Sequence, residues 1–258
     1  MNLEPAELYG ESIFTSMSSV NGAIPGHEMH LDRLFDHCNE YYFFGQLERV
    51  AFNIHFFKDF SWSSFLSKYP DHYIRLTITA TKRNQILPKY FSLTDLSLSL
   101  DKKPSAARSP VGLKLKTFPS PFSKHHVKIK AGSYFQNLYF KRQAQKERFD
   151  DALFFSESGI TEASTSNIIF QKTDTFFLPV NQSEIFSGIG QELFKNFLTE
   201  SNLKIEYRNV KVSSLDEFDA CYLLNSVSFI TAVKQINFSY YKINEKIQKQ
   251  FLEYLKQK

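Results

Sequence analysis

Cysteine is close to absent from this chain: Cys38 and Cys221 are the only two in 258 residues. Two cysteines cannot make the disulfide framework of a small secreted domain. With no CxxC pair and no Cys/His cluster, no metal site is expected either. That usage fits a reducing, cytoplasmic compartment. Long apolar runs are missing as well. None reaches the roughly 18 residues of a membrane helix, so no membrane partner is expected. The opening MNLEPAELYGES has neither the basic start nor the apolar centre of a secretory signal, so export is not expected. Nine Gly and nine Pro are too few for a collagen-like or linker-dominated chain. Charge of one sign is scarce too, at a net +4. The basic residues are dispersed apart from KRQAQKER at 141–148 and the lysines near the C-terminus. Those runs read as solvated helix faces, and no nucleic-acid partner is expected. What the chain has in quantity is aromatic side chains, 27 Phe and 13 Tyr against the single Trp62. With 42% hydrophobic and 22% charged residues, this is a globular protein with a Phe-packed core, large enough for one big domain or two modest ones.

Strand-like and helix-like stretches alternate, which places the chain in a mixed α/β (α+β) class. Residues 9–20 lead into Asn21-Gly22, a two-residue hairpin signal, with the strand doubling back at Ala23-Ile24. Met29, Leu31, Leu34, Phe35 and Cys38 form a helical stripe between His27 and Tyr42. Further helices are expected over about 47–57 and 62–68, and strands over 73–81 and 91–100. Pro104, Pro110, Pro119 and Pro121 punctuate the next stretch, and FPSPFS at 118–123 reads as an interdomain linker. It would separate an N-terminal α/β domain over 1–117 from a C-terminal domain over 124–258. In the second domain the expected elements are a short strand at 125–130 and a helix capped by Ser133 running to Arg148. After these come strands at 151–156, 168–171 and 176–178, a helix at 189–201, strands at 204–210 and 220–224, and a terminal helix from Asn244.

Four separated segments carry unusual local patterns: Tyr9-Gly10-Glu11-Ser12-Ile13-Phe14; His30-Leu31-Asp32-Arg33-Leu34; Lys130-Ala131-Gly132-Ser133-Tyr134 through Gly159-Ile160-Thr161-Glu162-Ala163-Ser164-Thr165-Ser166-Asn167; and Ser187-Gly188-Ile189-Gly190 with Asn225-Ser226-Val227 and Ile230-Thr231-Ala232-Val233. Each alone has an ordinary explanation: a surface lysine, a solvated arginine, a turn. In this order and spacing they resemble the class IV (fold type IV) family of pyridoxal-phosphate enzymes. That family includes branched-chain and D-amino-acid aminotransferases and 4-amino-4-deoxychorismate lyases. The resemblance runs from Tyr9 to Val233. It implies a two-domain fold with pyridoxal 5'-phosphate held between the domains, a small-molecule substrate and a homodimer.

The resemblance makes Lys130 the residue that holds the cofactor covalently and moves the substrate proton, and the local pattern suits that. A lysine works as nucleophile and base when burial or a nearby positive charge lowers its pKa, and a mount just before a helix N-terminus offers a positive dipole. Lys128 is the competitor, since a strand period of two puts it on the same face. Glu162 would face the cofactor's ring nitrogen and keep it protonated, so that the ring withdraws electrons. Tyr134 would hydrogen-bond the cofactor's phenolic oxygen, or else be a core aromatic. Arg33, the backbone N–H groups of Ile189 and Gly190, and the Ser226 hydroxyl would receive the phosphate. Tyr9, Phe14 and Asn225 would line the substrate pocket, with plain core packing an equal reading for Phe14. Arg75 and Lys82 are candidates for a substrate carboxylate.

There are departures from the family pattern. Only eight residues precede Tyr9, where a short strand is usual. Gly188-Ile189-Gly190-Gln191 stands in place of Gly-Ile-Thr-Arg, Thr231-Ala232-Val233 in place of Thr-Pro-Val, and no Arg-Gly follows the Tyr73 strand. Thr15-Ser16 and Asn225-Ser226 resemble the lyase versions of their loops. The reading that results is a 4-amino-4-deoxychorismate lyase, which releases pyruvate and 4-aminobenzoate for folate synthesis. A class IV aminotransferase acting on branched-chain or D-amino acids is the alternative. A non-catalytic binding protein is opposed by the joint presence of Lys130, Glu162 and Arg33.

Overall fold

The computed structural model of the chain describes residues 10–81, 91–105, 112–122, 129–180 and 185–257. The chain divides into two compact units, one of residues 1–106 with 128–134 and one of 107–127 with 135–258.

The first unit is a three-stranded antiparallel sheet backed by three helices. Its elements are β1 (Ser12–Ser18), α1 (His27–Phe43), α2 (Arg49–Phe57), α3 (Trp62–Lys68), β2 (His72–Ala80) and β3 (Leu96–Pro104), with sheet order β1-β2-β3. The Asn21-Gly22 turn forms as its residues dictate. Both positions have positive φ, and Val20 and Ala23 exchange backbone hydrogen bonds across it. A period of two then sorts the side chains. Ile13 and Met17 of β1, Ile74, Leu76 and Ile78 of β2, and Leu96 and Leu98 of β3 join Leu34, Cys38, Tyr42 and Phe52 of the helices in one apolar core. Here the Phe-rich composition finds its use: Phe35, Phe52, Phe56 and Phe57 meet edge-on or tilted at 5.0–6.1 Å between centroids.

The second unit is built on a nine-stranded sheet. It holds β4 (Leu113–Pro119), α4 (Phe135–Lys146), β5 (Asp151–Ser156), β6 (Gly159–Ala163), β7 (Asn167–Lys172), β8 (Thr175–Pro179), α5 (Ile189–Glu200), β9 (Lys204–Arg208), β10 (Ala220–Asn225), β11 (Phe229–Ile236), β12 (Ser239–Tyr240) and α6 (Glu245–Leu255). The strands run in the order β10-β11-β4-β5-β6-β7-β8-β9, with β12 on β11, and a further β10–β7 pairing closes six of them into a ring. Closure leaves those strands without free edges, and their inward residues, among them Leu115, Leu153, Phe170, Leu223 and Val233, form the second core. On α5, Leu193, Phe194, Phe197 and Leu198 are buried, and Phe194 and Phe197 pack on Phe251 of α6.

Three features differ from expectation. Phe118 and Pro119 lie inside β4, paired in parallel with Phe154 and Phe155 of β5, so the expected linker begins within a strand. Pro119 sits at the strand's last position, where a missing N–H is tolerated. Residues 128–134 group with the first unit, because Ala131 bridges Ile13 and Gly132 N–H donates to the Ser12 carbonyl at 2.8 Å. The strand expected over 91–100 starts only at Leu96, behind a 3₁₀ turn at Leu93–Asp95 closed by a Ser92/Asp95 capping box. Most of the strand expected over 125–130 lies outside the described residues. Among the described residues no helix is long and apolar enough to cross a membrane, and no group of His, Cys, Asp and Glu is placed to hold a metal ion.

Candidate active site

In the first unit the chemistry gathers around Lys130. Its backbone is held on two sides: Phe14 N–H donates to the Lys130 carbonyl at 3.0 Å, and Lys130 N–H donates to His37 Nδ1 at 3.1 Å. Gly132 lets the segment lie this close to β1, since a Cβ there would collide with Ser12 Oγ. The Lys130 ammonium donates to Tyr134 Oη at 3.1 Å and stands 4.9 Å from the centroid of Phe14. Phe14 and Tyr134 meet edge-on at 5.6 Å. On the neighbouring strand Arg75, whose Nε donates to Thr77 Oγ1 at 3.1 Å, lays its guanidinium 3.6 Å from the Phe14 centroid. The register explains that reach. Phe14 pairs with Thr77 and Ser16 with Arg75, so Arg75 and Phe14 are diagonal neighbours on one face. Phe14 is thus both buried and beside the lysine.

One face of α1 looks at this lysine. His30, Arg33 and His37 are spaced i, i+3, i+7 and share a side of the helix. The Arg33 guanidinium is half-buried, and burial draws its pKa down to about 10 against the opposing effect of Tyr134. Burial, with Arg33 and Lys130 nearby, lowers His37 to about 4. Burial, then Arg33, His27 and Lys130, lowers His30 to about 3. Both rings are therefore neutral at pH 7. His30 Nδ1 and Thr15 Oγ1 are 2.6 Å apart and buried.

The second unit carries the other cluster. Glu162 on β6 accepts from Phe186 N–H at 3.0 Å, and Asn167 Nδ2 donates to the Phe186 carbonyl at 2.8 Å. Together these two side chains fix the residues leading into α5. Gly188 caps that helix, and a Cβ on it would strike Asn167 Oδ1. At Gly190 a Cβ would fall 2.5 Å from the Asn225 carbonyl oxygen and 2.7 Å from its Cα. The helix N-terminus is thereby brought against the turn at 226–228, with the first-turn N–H groups of Ile189 and Gly190 lacking intrahelical acceptors. Ser226 stands at the first position of that turn. Behind Glu162, buried Asp151 accepts from Ser164 Oγ at 2.5 Å and Ala152 N–H at 2.8 Å and pairs with Lys141 at 3.3 Å, while Asn137 donates to the Ser164 carbonyl at 2.8 Å.

The expected site residues thus fall into two groups: Lys130, Tyr134, Arg33 and Phe14 in the first unit, and Glu162, Ile189, Gly190, Asn225 and Ser226 in the second. Tyr9, Lys128 and Lys82 lie outside the described residues. Asn225 is spent on its own turn: Oδ1 accepts from Val227 N–H at 2.9 Å and Ser228 N–H at 2.8 Å, and Nδ2 donates to Ser166 Oγ at 2.9 Å. The Thr15-Ser16 hydroxyls are engaged too, Thr15 with His30 and Ser16 with Tyr73 Oη at 3.2 Å. Thr15, Ser16 and Asn225 thus each have a local structural duty. His37 escapes the sequence reading, and Asn167 and Asp151 carry no assigned role in it. For His37 the i+4 spacing from Arg33 was the signal available.

Comparison with known proteins bears on the family and the fold. The family model described as amino-transferase class IV matches residues 12–236. A Rickettsia felis protein named a "probable branched-chain-amino-acid aminotransferase" is 22% identical over 129 residues, 47% of this chain and 44% of the relative. The match therefore spans less than half the length of that curated relative. Among solved structures, a Legionella pneumophila protein whose name proposes a 4-amino-4-deoxychorismate lyase superposes with a TM-score of 0.81 at 17% identity, over 98% of this chain and 93% of that one. The Escherichia coli branched-chain amino acid aminotransferase gives 0.75 at 18% identity, over 97% and 87%.

Proposed function

The chain belongs to the amino-transferase class IV family of pyridoxal-phosphate enzymes, and on that premise we propose that it is a pyridoxal-phosphate-dependent 4-amino-4-deoxychorismate lyase. The residues present fit the cofactor. Gly190, with no Cβ to hold them apart, lets the α5 N-terminus lie against the Asn225 backbone, and a phosphate is the kind of anion such a terminus receives. In the first unit, Arg33 offers a guanidinium of the kind that binds phosphate. Glu162 offers a carboxylate to a ring nitrogen, and Tyr134 a phenol beside the lysine amine.

Bound, the cofactor supplies an electron-withdrawing ring that stabilises negative charge on the substrate carbon next to nitrogen. Lys130 Nζ takes the proton from that carbon. Tyr134 Oη, 3.1 Å from Nζ, orients the amine as it does so. Glu162 keeps its partner nitrogen protonated throughout. Arg75, lying over Phe14 beside Lys130, receives a substrate carboxylate. The single observation that carries the reading is this grouping of Lys130 with Tyr134, Phe14 and Arg75.

The second reading, an aminotransferase of branched-chain or D-amino acids, is favoured by the names of the curated relatives. Loaded protein given aminodeoxychorismate releases pyruvate and 4-aminobenzoate if the lyase reading is right. Formation of a 2-oxo acid from a simple amino acid, without those products, would replace it. We propose further that the chain works in the cytoplasm as a homodimer. The exposed Phe135, Leu138 and Tyr139 on α4 support a face that is covered in use. The division into an N-terminal and a cofactor-binding C-terminal domain is likewise proposed.

A further inference from the structure

We propose that His37 is a positioning residue for Lys130: a neutral imidazole on α1 that accepts the Lys130 backbone N–H and so clamps the lysine's mount to the helix bearing Arg33. The role in catalysis rests on Lys130 being the cofactor lysine, as proposed above.

A backbone N–H can only donate, so His37 Nδ1, at 3.1 Å from it, must be the unprotonated acceptor. Protonation at Nδ1 would set two donors face to face. Burial and the charges of Arg33 and Lys130 keep the ring neutral, in agreement with the geometry. Its proton therefore rests on Nε2, which fixes the tautomer. The Lys130 carbonyl is held separately by Phe14 N–H at 3.0 Å. With both backbone groups taken, the peptide cannot rotate unless one bond breaks, and the lysine stem leaves it in a set direction. The surrounding segment needs such anchors. Ile129–Tyr134 contributes no helix or strand of its own, and its other ties to β1 are the Ala131–Ile13 bridge and the Gly132–Ser12 bond. His37 ties the segment to α1 as well. Since Arg33 lies one turn earlier on the same face, the helix sets the distance between the phosphate cation and the lysine mount.

Two variants test this. His37→Phe keeps a ring of similar size and removes the acceptor, whereas His37→Asn retains an acceptor near Nδ1. Amide hydrogen exchange over 129–134 is measured on the protein without cofactor. The pH midpoint of the visible absorbance, kcat and KM are measured on the loaded protein. His37→Phe is expected to speed exchange in that segment by about five- to tenfold, to displace the midpoint and to lower kcat more than it changes KM. His37→Asn is expected to return exchange and midpoint to within about twofold of the original. Wild-type exchange and midpoint in His37→Phe would overturn the assignment. So would a fall in thermal stability with no change in either. If His37→Phe does not fold, His37→Asn decides alone: retained exchange and midpoint support the clamp, and their loss overturns it. A wild-type protein that takes up no pyridoxal phosphate overturns the cofactor reading instead, while the exchange result still judges the clamp.

Discussion

Replacing Gly190 with alanine sets two effects of opposite sign against each other. Alanine is favoured over glycine inside a helix by about 1 kcal/mol, so propensity alone would stabilise α5. Sterics oppose it. The new Cβ would fall 2.5 Å from the Asn225 carbonyl oxygen and 2.7 Å from its Cα, and these are backbone atoms that cannot rotate aside. Either α5 or the end of β10 must move, and forced shifts of this kind cost about 1–3 kcal/mol. In the first turn only part of the propensity gain is realised, so the net loss is about 1–2 kcal/mol. For a chain of this size that lowers Tm by about 2–8 °C. The same movement separates the helix N-terminus from the 226–228 turn, so pyridoxal phosphate should bind about tenfold more weakly. Thermal melts without cofactor and fluorescence titration with it read the two effects separately. An unchanged or raised Tm with unchanged affinity would refute the reasoning, because the close approach would then be free to relax.

Other outcomes follow from the same structure. Lys130→Ala should lose all cofactor retained after borohydride reduction while melting cooperatively; a trapped adduct in the variant would transfer the role to Lys128. In Glu162→Gln the amide can still accept from Phe186 N–H, so the fold should persist while turnover drops about a hundredfold or more, and an unchanged rate would remove Glu162 from the chemistry. Acid should weaken the protein through His30. The folded ring is neutral with its pKa held at about 3 against an ordinary 6.5, so the unfolded chain binds the additional proton in between. Stability contributed this way is complete above pH 6.5 and falls by about 1.4 kcal/mol per pH unit toward pH 3. Urea melts at pH 7, 6, 5 and 4 should show that slope in the natural sequence and a shallower one in His30→Leu; equal slopes would mean that other groups carry the acid response.

Much of the fold was legible in the sequence wherever a segment's pattern is local. The helix over 27–43, the short helix over 62–68 and the strand over 151–156 lie where periodicity puts them, and Asn244 caps the last helix through Ile247 N–H. Strands whose pairing is long-range were harder. The end of β4, Phe118-Pro119, reads as the start of a linker until β5 is seen beside it. β6 and β11 carry the motif stretches GITEA and ITAV, whose strand character the motifs conceal. The site divides in the same way. Lys130, Glu162 and Arg33 stand out as candidates by residue type and order alone. His37 does not, because its role depends on a backbone N–H 93 positions away in the chain. Asn225 shows a duty that residue type alone does not announce, since its side chain holds the 226–228 turn and reaches Ser166.

The path of the chain between its two units has a consequence for how such a protein can be inherited or cut. Residues 128–134 return to the first unit after 107–127 have already joined the second. The polypeptide changes unit three times, and neither unit is a continuous stretch. No single recombination point can transplant one unit whole. A break anywhere in 107–127 yields an N-terminal fragment without Lys130 and a C-terminal fragment whose Lys130 segment has lost its β1 and α1 supports. Gene fusions, split reporters and exchanges with relatives would have to carry residues 10–134 as one block. For this fold the lysine travels with its mount or not at all.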